Sequence, residues 1–268
     1  MKIKSTPVIW TIFFLVSLAV LALIAYFYIE PREILVDKSE ANSIGLKIAK
    51  NQGITHPTKQ ISWHIDNKYA SLGIANFIWF PEIPVSTQPS FNGLLKYISQ
   101  TQGLPVWLVD KDYPPWSSRQ DYLSSKHDLF KRQLNDFLQK NIDTQTQYLI
   151  IFLEARLPKM LDQIKSPFAK MHLYENFYHI AMEKNGVYAL IDYFVFQGDG
   201  IYASDRYRNQ GWGLLQVLDN MKGKSNNLLR EFIYSANLLL TRRIANGSSE
   251  EEEQLANWRI RLNTYLER

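Results

Sequence analysis

The chain has 268 residues, 46% of them hydrophobic and 21% charged, with a net charge of +4, enough for one substantial core or two small ones. With no cysteine at all, disulfides, thiol catalysis, cysteine-based metal sites and a lipid-modified cysteine anchor are excluded. The positive charge is spread along the chain without a basic stripe or a nucleic-acid motif, so the expected partner of that charge is an anionic membrane or cell-wall polymer and not nucleic acid.

Residues 7–29, PVIWTIFFLVSLAVLALIAYFYI, form an uncharged apolar run. About 20 residues cross the hydrocarbon core of a bilayer, so this run is long enough to do so. Lys2 and Lys4 precede it, and acidic residues outnumber basic ones just after it. The positive-inside rule then predicts a cytoplasmic N-terminus over residues 1–6 and a remainder on the far side, which for a bacterial inner membrane is the periplasm. Ser17-Leu18-Ala19 offers a cleavage site for the rival reading, a removed leader. The apolar run continues well past it, which favours an uncleaved single-pass anchor. Residues 30–36 read as a linker and residues 37–268 as the folded domain.

Asp37-Lys38-Ser39-Glu40 resembles a capping box. Ala41, Ile44 and Ile48 follow at helical spacing, and Gly53 is a C-terminal stop. Residues 55–80 predict a small β-hairpin or three-stranded sheet, with turn chemistry at Pro57 and Asp66-Asn67 and a compact strand-like run at 71–77. Gly73 and Ala75 are small where such a backbone would press on a helix or ligand. Phe91, Leu94, Leu95 and Ile98 mark an amphipathic helix ending at Gly103. Ser118 and Asp121 cap the next, whose apolar face includes Leu129, Leu134 and Leu138. Further helices are expected over 144–157, yielding at Pro158, and over 168–181, 214–221 and 225–245. Glu250 to Glu253 suit the first turn of a last helix, where acids complement the helix dipole. The fold class is therefore mainly α, an α+β domain with one small β element near its start, preceded by one transmembrane helix.

Asn51-Gln52-Gly53 closing a helix, followed by Ser71-Leu72-Gly73-Ile74-Ala75-Asn76, resembles the active-site region of the phage-type lysozymes. There a Glu-Gly closes a helix, a hairpin carries a second polar group, and a Thr-x-Gly-x-Gly-His run follows. The resemblance implies a lysozyme-like helical domain acting on peptidoglycan or a related glycan. It places Gln52 at the catalytic Glu, Ser71 at the Thr and Asn76 at the His. The chain after the anchor is also similar to a group of bacterial proteins of unassigned activity that have Glu at the position of Gln52 and His at that of Asn76.

Glycoside hydrolysis normally needs two carboxyl groups, one of them protonated, and an amide cannot supply that proton. Gln52, His64, Ser71 and Asn76 are then expected to bind glycan. If the protein cleaves it, Asp66 in the hairpin and Glu82 just beyond are the catalytic candidates. Residues 186–221 are dense in glycine, aromatics and acids, and Asp199 and Trp212 are candidate substrate contacts on an opposite wall. The five histidines are scattered, and no motif for a metal, cofactor, P-loop or dinucleotide is present. The expected activity is glycan binding with absent or much-reduced hydrolysis. The alternatives are an interaction module in an envelope-spanning assembly, whose partners would be other envelope proteins, and an active hydrolase with relocated carboxylates.

Overall fold

The structure, a computed structural model, describes residues 12, 14–17, 32–54, 56, 59–79, 89–203, 206–247 and 251–267. Residues 1–33 and 34–268 form two separate compact units. In the first, Ile12 and residues 14–17 are helical and exposed. Most of the expected membrane span lies outside the described residues. Among the described residues no helix is long and apolar enough to cross a membrane.

The second unit is mainly helical. Helix α1 (Lys38–Asn51) begins as its sequence dictates, the Asp37 side chain accepting from the Glu40 amide at 2.8 Å. It ends in a Schellman motif. Gly53 is in the left-handed region at φ +77°, its N–H reaches Lys50, and the Ile54 N–H reaches Ala49 at 2.9 Å. Strands β1 (Ile61–Ser62) and β2 (Ser71–Leu72) pair antiparallel, Ile61 opposite Leu72.

Where the sequence predicts a strand as far as Phe77, the chain turns back at Gly73, and Leu72 bridges Phe77. Gly73 has φ +64°, and a Cβ there would lie 2.1 Å from Gln145 Oε1. Only glycine allows this close approach to the helix behind.

Helix α2 (Phe91–Thr101) buries Phe91, Leu94, Leu95 and Ile98, the stripe its periodicity marks. The single helix expected after Ser118 is instead α3 (Arg119–Leu123), a 3₁₀ turn and α4 (Asp128–Lys140). Ser124 adopts an extended conformation and breaks the run. Helix α5 (Ile142–Asp162) does not yield at Pro158 but runs through it. Pro158 is exposed, so water can take the carbonyl that the missing N–H leaves free.

Helices α6 (Pro167–Met182) and α7 (Gly186–Gln197) follow. A second hairpin that the sequence reading lacks, β3 (Arg206–Tyr207) with β4 (Gln210–Gly211), leads to α8 (Leu214–Asn220), α9 (Leu228–Asn246) and α10 (Gln254–Asn263). The hinge of the architecture is α7. It touches α1, α5, α6 and α8 and is buried on all sides, Tyr188, Tyr193 and Phe194 included. Each such large side chain contributes roughly 1.5–3 kcal/mol by leaving water.

Candidate functional site

The C-terminal end of α1 faces two ways. Asn51 faces inward. Its amide nitrogen lies 2.7 Å from the Tyr188 hydroxyl, 3.1 Å from Asp192 Oδ2 and 3.1 Å from Thr264 Oγ1. Asp192 is fully buried and accepts two bonds of 2.8 Å from Arg261 and one of 2.7 Å from the Tyr265 hydroxyl. Arg261 also donates to the Asn51 carbonyl at 3.1 Å, taking up one of the carbonyls a helix end leaves without a partner. Burial acts to lower the guanidinium pKa, and the Asp192 charge with its hydrogen bonds outweighs it, so Arg261 is held above its ordinary value. The Tyr188 and Tyr265 hydroxyls are pushed well above theirs, by burial first and then by the Asp192 charge. The network is thus a locked set of charges and neutral phenols that fixes the end of α1.

Gln52, the next residue, caps the helix and turns away from this network, half-buried. Its Oε1 accepts from Asn76 Nδ2 at 2.9 Å. Among the described residues its Nε2 is buried without an acceptor. Asn76 holds φ +54°, a conformation asparagine tolerates better than most residues, at the end of the Gly73 turn. The Ile74 amide donates to Gln145 Oε1 at 2.9 Å, while Gln145 itself donates to the Leu138 carbonyl at 2.7 Å. So α1 and α5 set the two amides against each other.

Gln52, Ser71 and Asn76 line one cavity of about 420 Å³, with Val195 of α7 on its wall. A second cavity of about 520 Å³ is lined by Trp63, Trp79, Trp116 and Arg119. Residues 67–69 line both, so the two lie on either side of one short segment. Two aromatics of the second, Trp79 and Trp116, meet edge to face at 6.3 Å and are almost wholly buried, while Trp63 and Tyr69 are half-buried. Its rim carries two cations, Lys68 and Arg119. No carboxylate among the described residues lines either cavity.

The other expected site residues fall elsewhere. Asp66 is an exposed turn residue with an 86% exposed side chain, 3.8 Å from His64, itself 77% exposed. Neither lines either cavity. Glu82 lies outside the described residues. Asp199 does not face a cleft. It is fully buried, accepts from Arg156 Nε at 2.7 Å and from the Ile201 amide at 3.0 Å, and forms an ion pair with Arg156. Trp212 is buried beneath Arg243, whose guanidinium lies 4.3 Å from its ring centre. That is packing, because a wall of arginine already covers the ring. Glu251, expected as a solvated helix start, instead binds Arg243 at 2.6 Å and Tyr207 at 3.2 Å. Among the described residues no three histidine or acidic side chains come together as a metal site would need.

Trp63, Lys68, Tyr69 and Arg119 are the site residues that sequence reasoning passes over. The available signal is the loop WHIDNKY between two short strands, aromatic at both ends where a connection would ordinarily be polar. Comparison of the chain with protein-family models, with curated proteins and with solved structures finds no match.

Proposed function

We propose that this protein is a lysozyme-like, membrane-anchored protein that binds peptidoglycan or a related glycan and hydrolyses it poorly or not at all. The observation that carries this reading is the Gln52–Asn76 amide pair, 2.9 Å apart, at the helix end where the resemblance calls for an acid. An amide donates to and accepts from sugar hydroxyls but has no proton to give a leaving oxygen. Loss of a general acid typically forfeits 10²- to 10⁴-fold in rate. Gln52 and Asn76 both line the polar cavity, where side-chain amides suit sugar hydroxyls. The lysozyme-like class rests on the sequence resemblance, and the anchor and periplasmic placement on the composition of residues 7–29.

The test uses the full chain in detergent, incubated with purified peptidoglycan. Pelleting and released muropeptides are measured for the parent and for Gln52→Glu. Binding without release by the parent, with release by the variant, is the expected result. Release by the parent means that a carboxylate outside the described residues acts, and Glu82 becomes the residue to replace. Absence of pelleting by either protein overturns the glycan reading and leaves a protein-binding module.

A further inference from the structure

Helices α5 and α6 form an antiparallel pair joined by the short turn 163–166. The tip of this pair carries apolar groups in solvent. Phe168 and Met171, on the first turns of α6, are 80% and 59% exposed. Four lysines accompany them. Lys165 precedes α6 and Lys170 lies on it, while Lys222 and Lys224 come from the loop after α8. That loop is pinned to the start of α6, where His172 Nε2 lies 2.6 Å from the Met221 carbonyl oxygen and a Cβ on Gly223 would meet Asn176. The exposed acids nearby are Asp162 and Asp219. Among the described residues Lys170 alone of the four lysines has an ion-pair partner, Asp162 at 3.9 Å. Exposed apolar side chains among lysines suit an anionic lipid surface. The ring and thioether enter the headgroup boundary, and the ammonium groups stay with the phosphates.

The path of the chain brings such a surface within reach. The Ile34 amide donates to Glu154 Oε1 at 2.9 Å, midway along α5, and Lys38 pairs with Asp143 at the start of α5. Residues 34–38 therefore run along α5 away from its tip, and on their N-terminal side they point back toward it. Asp162 lies about 12 Å beyond Glu154 at 1.5 Å per helical residue. Extended chain from residue 29 to residue 34 spans up to about 17 Å, so a bilayer holding residues 7–29 lies within reach of the tip. We infer that the tip of α5 and α6 docks on the anionic surface of the bilayer that holds the chain, Phe168 and Met171 entering the headgroup boundary and Lys165, Lys170, Lys222 and Lys224 meeting lipid phosphates. This rests on the membrane-anchored part of the reading above and is independent of its glycan part. Gln145, which braces the Gly73 turn, lies near the other end of α5. Docking by the tip thus holds the Gln52–Asn76 pair about 25 Å from the lipid, on the side from which a wall polymer would be reached.

The absence of cysteine lets a single introduced thiol be labelled alone. Phe168→Cys and Val106→Cys, each in the full chain, carry an environment-sensitive fluorophore. Val106 is the control, 92% exposed and next to Trp107, which packs on Phe137 of α4 near the start of α5. The labelled chains are reconstituted into vesicles of phosphatidylcholine alone or mixed equally with phosphatidylglycerol, and retention is checked by flotation after an alkaline wash. The expected result is a blue-shifted emission at position 168, quenched by brominated lipid, in the anionic vesicles. Position 106 keeps the emission of a label in water. Lys222→Gln/Lys224→Gln, at exposed loop side chains, reduces the shift, and adding Lys165→Gln/Lys170→Gln abolishes it. Loss of the chain from the vesicles on washing overturns the anchor and this inference together. A retained chain whose position 168 stays in water overturns the docking and leaves the anchor standing. A shift of equal size at position 106 overturns the assignment to the tip, and a shift that survives the fourfold variant overturns the assignment to the lysines. A label at 168 that answers to added peptidoglycan and not to lipid overturns the bilayer as the partner of this surface.

Discussion

Two regions of this chain look alike in composition and are opposites in structure. Residues 186–213 and residues 60–79 are both rich in aromatics and polar groups, with five glycines in the first and one in the second. In the first, every carboxylate that the structure describes is sealed. Asp192 is held by Arg261 and Tyr265, Asp199 by Arg156, and Trp212 lies under Arg243. In the second, Asp66 is out in solvent, two amides line a cavity, and Lys68 and Arg119 form no ion pair among the described residues. The lesson is that an acidic, aromatic stretch does not by itself make a cleft. What decides is whether distant arginines arrive to neutralise it. Arg261 comes from 69 residues downstream of Asp192, and Arg156 from 43 residues upstream of Asp199. In the open region, among the described residues, no arginine pairs with Asp66, whose ion-pair partner is the neighbouring His64.

The largest expected effect lies in the sealed region. Asp192→Ala strands the Arg261 guanidinium, which is buried beside two tyrosines, and removes an acceptor of Asn51. Breaking a buried pair from one side costs about 3–5 kcal/mol. Chemical denaturation should show that loss, with Asp199→Ala close behind. A cost under about 1 kcal/mol for both would mean that these carboxylates are not structural and would return them to the list of site candidates.

A smaller effect is expected where the open region is braced. In Gly73→Ala the new methyl meets Gln145 Oε1, which is itself held by the Ile74 amide, and the residue must keep φ +64°. Backbone strain of this kind costs on the order of 1–3 kcal/mol, and glycan pelleting should weaken with it because Asn76 sits on the same turn. Full stability in this variant would show that the turn is free to relax, and that the Gln52–Asn76 pairing is not imposed from behind.

The Arg243–Glu251 pair tests the sealed region by pH. The Arg243 hydrogen bond, with the Arg243 charge and the Tyr207 hydroxyl adding to it, outweighs burial and holds the Glu251 carboxyl below the usual carboxylate range. The unfolded chain takes up this proton at its ordinary pKa, about 4.3. The stabilisation is therefore complete above that value and is lost as pH falls through the lower folded value. Glu251→Gln should cost about 1–2 kcal/mol at neutral pH, and the gap from the parent should narrow in acid. A gap that stays constant down to pH 3 would place the effect in packing and not in the charge.

How much of this was legible in the sequence varies with the kind of signal. Helix α2 announces itself through Phe91, Leu94, Leu95 and Ile98, because one face is wet. The cap at Asp37 and the stop at Gly53 are local chemistry and are read correctly. Helix α7 has no wet face and hence no stripe, so the most central helix is the one that periodicity misses. The amide pair was half legible: Gln52 and Asn76 could be named, but that they touch depends on a turn whose tightness is set by Gln145, 72 residues beyond Gly73. The cations of the aromatic cavity were not legible, because Lys68 and Arg119 are 51 residues apart and each looks like a surface charge alone.

The smallest stability effect separates two neighbours on one helix end. Asn51→Ala removes a donor from a buried network and should cost about 1–3 kcal/mol. Gln52→Ala removes one half-exposed hydrogen bond, but it also removes a buried nitrogen that has no acceptor. These oppose each other, so the net change should lie within about 0.5 kcal/mol. Glycan pelleting should nonetheless fall, by about tenfold if one polar contact to the sugar is lost. Denaturation and pelleting on the same two variants decide the matter together. If Gln52→Ala destabilises as much as Asn51→Ala, the unpartnered nitrogen is an internal structural group and the cavity it lines is incidental. If stability holds and binding falls, an orphaned amide on a stable helix end is a group kept for a ligand.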